Sequence, residues 1–269
     1  MPQTWTLSIT GKGGVGKTTI AALAVSWLEA GGRGPVLAVD ADPNLCLDAL
    51  LGVSCAVTVG GVREEAKLIS RSQAVSSGGM GKTELLDMKI QEALVENGTF
   101  DLIAMGRPEG PGCYCYANNV LRGILARLAD HYAFVVIDNE AGLENLSRRT
   151  VVQTDWLVFV SDPSARGLKT ARRLYDLAVE LEVKAMAMGL IINRLRSDDA
   201  LRQARALFAD TPVAVLGGLP EDDEIARRDA LSLPIFGLSQ QNPVALAAGD
   251  IFERIHAGGL HNGRAGAGN

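Results

Sequence analysis

Short apolar runs and longer amphipathic stretches alternate along this chain almost from end to end. Trp5-Thr6-Leu7-Ser8-Ile9 switches between apolar and polar at every residue, which is the two-residue period of a strand. A glycine loop follows, then an Ala/Leu-rich stretch that reads as a helix ending near Ala30. Residues 31–35 form a turn, and Val36 to Asp40 is a short apolar strand that ends in an acid. Compact apolar runs recur at Phe100 to Met105, Phe134 to Asp138, Trp156 to Ser161, Met188 to Asn193 and Val213 to Leu216, the mark of buried strands. Helical spacing separates them, as in Leu168 to Leu181 and Leu201 to Ala209. Such alternation predicts an α/β fold: a single doubly wound, mostly parallel sheet flanked by helices. No repeat and no linker divides the sequence. Residues 1–256 are therefore expected to form one domain, with the glycine-rich stretch 257–269 as a flexible tail.

Composition narrows the setting. The 269 residues are enough for one large α/β domain and barely enough for two small ones. With 47% hydrophobic and 21% charged residues, the balance is that of a globular chain and excludes wholesale disorder. A net charge of −5 disfavours non-specific nucleic-acid binding, which requires basic surface to release counterions. The first ten residues read as a strand and lack the charged head and apolar core of a signal peptide. No apolar run approaches the ~20 residues of a membrane span. Four cysteines do not make a disulfide scaffold at this length, which fits a reducing compartment. The expectation is a cytoplasmic protein with no nucleic-acid and no membrane partner.

The loop after the first strand carries the first specific chemistry. Gly11-Lys12-Gly13-Gly14-Val15-Gly16-Lys17-Thr18-Thr19 satisfies G-x-x-x-x-G-K-[ST] between a strand and a helix, the context that this pattern requires. Glycines let the backbone N–H groups from Gly13 through Gly16 turn inward around phosphate oxygens, and the helix N-terminus adds its dipole. Lys17 is expected to hold the β- and γ-phosphates, the Thr18 hydroxyl to ligate Mg²⁺, and Thr19 to reach the α-phosphate. Lys12 departs from a plain phosphate loop. This spelling resembles the deviant KGGxGKT motif of the dimeric ATPase class that includes the nitrogenase iron protein, the ParA partition ATPases and the MinD division-site proteins. The resemblance implies a homodimer in which Lys12 reaches the partner's nucleotide, acting as an electrostatic clamp in trans. A solvated loop lysine is the plainer alternative.

Three further segments complete a nucleotide site. Asp40-Ala41-Asp42-Pro43-Asn44 follows the second strand, on the side where doubly wound sheets bind ligands. By resemblance to the class, Asp42 would orient the attacking water and Asp40 would support the Mg²⁺ shell. A helix N-cap at Asp42 or Asn44 is the competing reading. Phe134 to Asp138 has the Walker B form, an apolar strand ending in an acid that contacts Mg²⁺ directly or through water. Asn139-Glu140-Ala141-Gly142 then reads as a γ-phosphate sensor. In this class an asparagine at the position of Asn193 hydrogen-bonds the adenine edge, with Leu219, Pro220 and Asp222 beside the base; a helix cap at Asn193 is the competing reading. No Asn-Lys-x-Asp guanine signature is present, so ATP/ADP with Mg²⁺ is favoured over GTP.

Cys113 and Cys115 lie in the run Gly106 to Tyr116, whose glycines and prolines exclude a helix. In extended backbone, residues two apart point to the same side, so both thiolates are available to one target. Two ligands leave a metal site incomplete, and a two-fold axis would supply the other pair. A pair of incidental thiols is the alternative on spacing alone; an intramolecular disulfide across so short a loop is strained. The wider segments GRPEGPGCYCYANNVLR, IDNEAGLENLSRR and GGMGKTELLDMKIQEAL closely resemble the CooC-type ATPases that assist nickel insertion into carbon monoxide dehydrogenase. Related acetyl-CoA synthase assistants share much of the pattern. This resemblance covers nearly the whole chain and implies an ATP-dependent metallochaperone. It would hold Ni²⁺, or Zn²⁺ at the same thiolate site, between two subunits and serve a nickel-enzyme client such as carbon monoxide dehydrogenase. His131, His256 and His261 are scattered, unlike a His-rich storage tail, and Cys46 and Cys55 match no ligand pattern. Two other functions share the nucleotide motifs. One is a positioning or partition ATPase that switches affinity for DNA or membrane. The other is a donor with a four-iron cluster on the dimer axis, although that family draws its cysteines from two separated segments.

Overall fold

The computed structural model describes residues 4–61, 88, 91–107, 123, 125, 127–141 and 154–262. Among them, β1 (Trp5–Gly11), β2 (Val36–Ala41), β3 (Leu94–Glu96), β4 (Asp101–Ala104), β5 (Phe134–Asn139), β6 (Thr154–Ser161), β7 (Ala185–Leu195) and β8 (Ala214–Pro220) form one sheet in the order β3-β4-β2-β5-β1-β6-β7-β8. All pairs are parallel except the edge strand β3, which runs antiparallel to β4. Each strand expected from the sequence forms. β3 was not expected, because three residues are too few to show a period.

Helices cover both faces. On one side α1 (Lys17–Ala30), the short α2 (Leu47–Leu51) and α6 (Pro243–Asn262) pack with Leu7, Ile9, Val36, Ala38, Val136 and Val158. On the other side α3 (Ala165–Glu180) and α4 (Asp199–Leu207) cover Leu157, Phe159, Leu190 and Ile192. The stripe Leu168, Ala171, Leu174 and Ala178 buries one face of α3, and Ser164 caps its start by accepting from the Gly167 N–H at 3.0 Å. α5 (Asp223–Ala230) follows β8.

Strand β1 alternates like a half-exposed strand, yet all seven of its residues are buried. The Ser8 hydroxyl and the Thr6 main chain are bonded by neighbours. The Asn139 amide donates to Ser8 Oγ (2.9 Å), and the Thr6 N–H donates to Asp155 (2.7 Å). Pairing with β5 on one side and β6 on the other therefore turns an alternating sequence into the middle of the sheet.

The last helix locks onto this centre. His256 lies among Trp5, Trp27 and Phe134, with ring centroids 5.6–6.0 Å away. Arg33 stacks 4.2 Å over Trp27 and pairs with Glu253. The helix runs on to Asn262, across residue 257, where the sequence placed the start of a tail. Among the described residues no helix is long and apolar enough to cross a membrane.

Candidate active site

The C-terminal ends of β1, β2, β5 and β7 bring the sequence-derived residues to one end of the sheet. β1 ends at Gly11, and α1 starts at Lys17 after Gly16, which sits at φ 94°. A Cβ at Gly11 would lie 2.5 Å from the Val160 carbonyl oxygen, so glycine is what lets the loop leave the sheet beside β6. Gly16 is constrained twice: its φ is left-handed, and a Cβ there would lie 2.2 Å from the Asn193 amide nitrogen. Loop and β7 meet through that amide, which donates to the Val15 carbonyl at 2.9 Å, while Asn193 Oδ1 accepts from the Arg194 N–H. The Val15 side chain itself lies in the core, so its part in the loop belongs to its backbone. Gly13 and Gly14 are exposed.

Lys17 is buried, and its Nζ lies 3.4 Å from the Lys12 carbonyl. Desolvation lowers its pKa, opposed first by Asp138 and then by Asp42. A buried ammonium of this kind calls for an anionic ligand. The Lys12 side chain, by contrast, is exposed.

Asp40 and Asp138 are register partners on β2 and β5. They are employed differently. Asp40 is completely buried, and its two oxygens accept the backbone N–H groups of Asp42, Cys46 and Leu47 at 2.9 Å each. Its carboxylate thus shapes the loop after β2 and the start of α2. Asp138 is bonded to the Thr18 hydroxyl, while its buried Oδ1 has no hydrogen-bond partner among the described residues. Burial pushes its pKa up to about 7, against the Thr18 bond, and the Asp40 charge adds to the rise. An orphaned buried carboxylate oxygen beside a threonine hydroxyl fits a small hard cation such as Mg²⁺. Asp42 lies further out, with Oδ1 accepting both the backbone N–H (2.8 Å) and the side-chain amide (2.9 Å) of Asn44.

A cavity of about 720 Å³ extends from Gly14, Gly16, Lys17, Thr18 and Thr19 to Asn193, Pro220 and Asp222. Its apolar walls include Leu45, Leu50, Ile225 and Ile235. Pro220 and Asp222 line it. Leu219 does not: its side chain is 1% exposed and belongs to the core behind β8. The Asp222 carboxylate is occupied in capping α5 at the Ile225 N–H and in accepting from the Asn242 amide. Arg194 was not singled out from the sequence. Its backbone is left-handed (φ 56°) and its guanidinium reaches the Gly14 carbonyl at 3.3 Å. The only sequence hint was its position next to Asn193.

Cys113, Cys115 and Gly142 lie outside the described residues. Among the described residues no cluster of three or more His, Cys, Asp or Glu side chains is placed to hold a metal. Cys46 and Cys55 are free; burial, followed by nearby carboxylates, pushes the thiol of each upward, to about 12 for Cys55.

Residues 7–235 match the model of the CobQ/CobB/MinD/ParA nucleotide-binding domain. An uncharacterised ATP-binding protein of Methanocaldococcus jannaschii is 42% identical over 250 residues, covering 93% of this chain and 97% of that protein. The carbon monoxide dehydrogenase accessory protein CooC of Rhodospirillum rubrum is 32% identical over 245 residues, covering 87% and 90%. In three dimensions the chain resembles the septum site-determining protein MinD of Pyrococcus horikoshii, solved with Mg-ADP. That match has a TM-score of 0.65 and 18% identity, covering 94% of this chain and 96% of the other.

Proposed function

The chain belongs to the CobQ/CobB/MinD/ParA nucleotide-binding family and is a P-loop ATPase, and from that premise we propose that it uses ATP to handle nickel for a client metalloenzyme of the carbon monoxide dehydrogenase kind. The C-x-C pair Cys113/Cys115, in a chain with extended likeness to CooC, carries this reading. Two copies would contribute four thiolates to one Ni²⁺, with Zn²⁺ as a competitor for the same donors.

At the nucleotide, Lys17 binds the β- and γ-phosphates, with the backbone N–H groups of Gly13 through Gly16 around them and Thr19 at the α-phosphate. Thr18 and Asp138 would hold Mg²⁺, which neutralises phosphate charge when bound. Asp40 supports that cation indirectly, by fixing the loop beside it. Asp42 orients the attacking water, and Lys12 crosses the dimer to the partner's phosphates. Asn193 keeps a second amide hydrogen for a ring nitrogen of adenine, while Pro220 and the α5 cap at Asp222 wall the base. Closure around ATP favours the dimer, and hydrolysis loosens it and the thiolate site together.

The test is light scattering on anaerobic, reduced protein, crossed with ATP or ADP and with Ni²⁺ or Zn²⁺. One metal per two chains, lost in Cys113→Ser while nucleotide binding survives, is the expected result. Unchanged metal stoichiometry in that variant refutes the proposal. Kinship with MinD and ParA supports a second reading, a positioning or partition ATPase. ATP-dependent retention on DNA or on anionic vesicles, with no bound metal, would select it.

A further inference from the structure

Strands β2 and β4 are parallel neighbours, and their C-terminal extensions meet. Asp40 pairs with Ala104 in register, and the Met105 N–H donates to the Asp40 carbonyl at 2.8 Å. From there one chain continues to Asp42 and Asn44, the other to Gly106 and Arg107. Gly106 has φ 61°, and a Cβ on it would lie 2.4–2.6 Å from the side-chain atoms of Thr58. Only glycine makes this turn, and it delivers Arg107 to the loop after β2. There the guanidinium Nη2 donates to Asn44 Oδ1 at 2.5 Å. Asn44 is thus bonded at both ends of its amide: Oδ1 takes the arginine and Nδ2 is given to Asp42 Oδ1.

From this geometry we infer that Arg107 is a positioning residue for ATP hydrolysis, acting through Asn44 on the Asp42 carboxylate. An amide rotated by half a turn would face Arg107 with its NH₂ group and Asp42 with its oxygen, so a guanidinium at one end selects the orientation that serves the carboxylate at the other. The inference rests on the proposed role of Asp42 in orienting water. It also adds a connection to the metal reading, because Arg107 stands six residues before Cys113 in the chain. Whatever moves Arg107 changes how firmly Asp42 is held.

Steady-state ATPase measurements on the full-length chain, without added nickel or zinc, test the relay with Arg107→Ala, Arg107→Lys, Asp42→Ala and the Asp42→Ala/Arg107→Ala double variant. Arg107→Ala is expected to lower kcat about tenfold, with KM for ATP and affinity for Mg-ADP within about twofold of the parent, which also reports an intact fold. Lysine, a donor without the planar fork, should recover part of the loss. In the double variant, the arginine substitution should add nothing to the loss from Asp42→Ala. Two results overturn the relay and leave the role of Asp42 standing: an Arg107→Ala kcat within twofold of the parent while Asp42→Ala is impaired, or fully additive losses. An Asp42→Ala enzyme with parental kcat removes the role of Asp42 and the relay with it.

Discussion

The side-chain amide of Asn193 donates to the main-chain carbonyl of Val15 across 178 residues of sequence. With the Arg194 guanidinium on the Gly14 carbonyl, this bond fastens the phosphate loop to the tip of β7. Asn193→Ala leaves a carbonyl without its partner, at a cost of about 1–3 kcal/mol. Mg-ADP affinity should fall roughly tenfold, which corresponds to ~1.4 kcal/mol. Isothermal titration measures it, and parental affinity would show that the loop holds its shape unaided.

Two glycines in that loop should respond differently to the same substitution. Gly14 and Gly16 both have positive φ, but a Cβ at Gly14 meets nothing within 4 Å, whereas at Gly16 it meets the Asn193 amide. Gly14→Ala should cost only the left-handed strain, about 1–2 kcal/mol. Gly16→Ala adds a collision and should lower nucleotide affinity by at least ~100-fold, or ~2.7 kcal/mol. Equal losses in the two titrations would refute the distinction.

Asp138 makes the nucleotide-free protein sensitive to pH. Its folded pKa, about 7, lies above its ordinary value of 3.8 because burial disfavours the charge. Between those values the native state holds a proton that the unfolded state has released, so this group makes stability fall as pH rises from about 4 to about 7. The full effect is on the order of 4 kcal/mol. Asp138→Asn should flatten the slope in urea unfolding across that window, and a variant with the parental slope would assign it elsewhere.

Lys12 is exposed, and its only described bond uses its carbonyl. Lys12→Ala should therefore leave Mg-ADP binding to the single chain within about twofold of the parent. If Lys12 acts in trans as proposed, the substitution should abolish the proposed ATP-dependent dimer and lower kcat by roughly 100-fold or more, the scale of a phosphate-stabilising group supplied in trans. Light scattering and turnover measured together decide this: a dimer that persists with full activity makes Lys12 a solvated loop residue.

Much of the architecture was legible because β1 alternates regularly, the strands other than β1 and β3 are compact apolar runs, and helices α3 and α4 each carry a clear stripe. What periodicity could not show was rank in the sheet: Thr6 and Ser8 look solvent-facing, yet both are buried, and the Ser8 hydroxyl is bonded by Asn139. The phosphate loop was readable because its motif is local. The inward turn of the Leu219 side chain was hidden because a segment pattern does not say which way a side chain turns at a strand end. The engagements of Asp40 and Asn44 were equally hidden, since they depend on the backbone of α2 and on Arg107, reached only through the fold.

The position of β1 between β5 and β6 has a consequence for how the chain is made. β1 is synthesised before its partners and pairs with residues 134–138 and 156–160, so it must wait until those segments have been translated. Loop closures of that length slow folding and leave apolar edges exposed in the interval. Val15 waits longer still, until Asn193 is available. Nucleotide binding is therefore a late event in biogenesis, and a nascent chain halted before β7 would carry the phosphate-loop sequence without its fastened form.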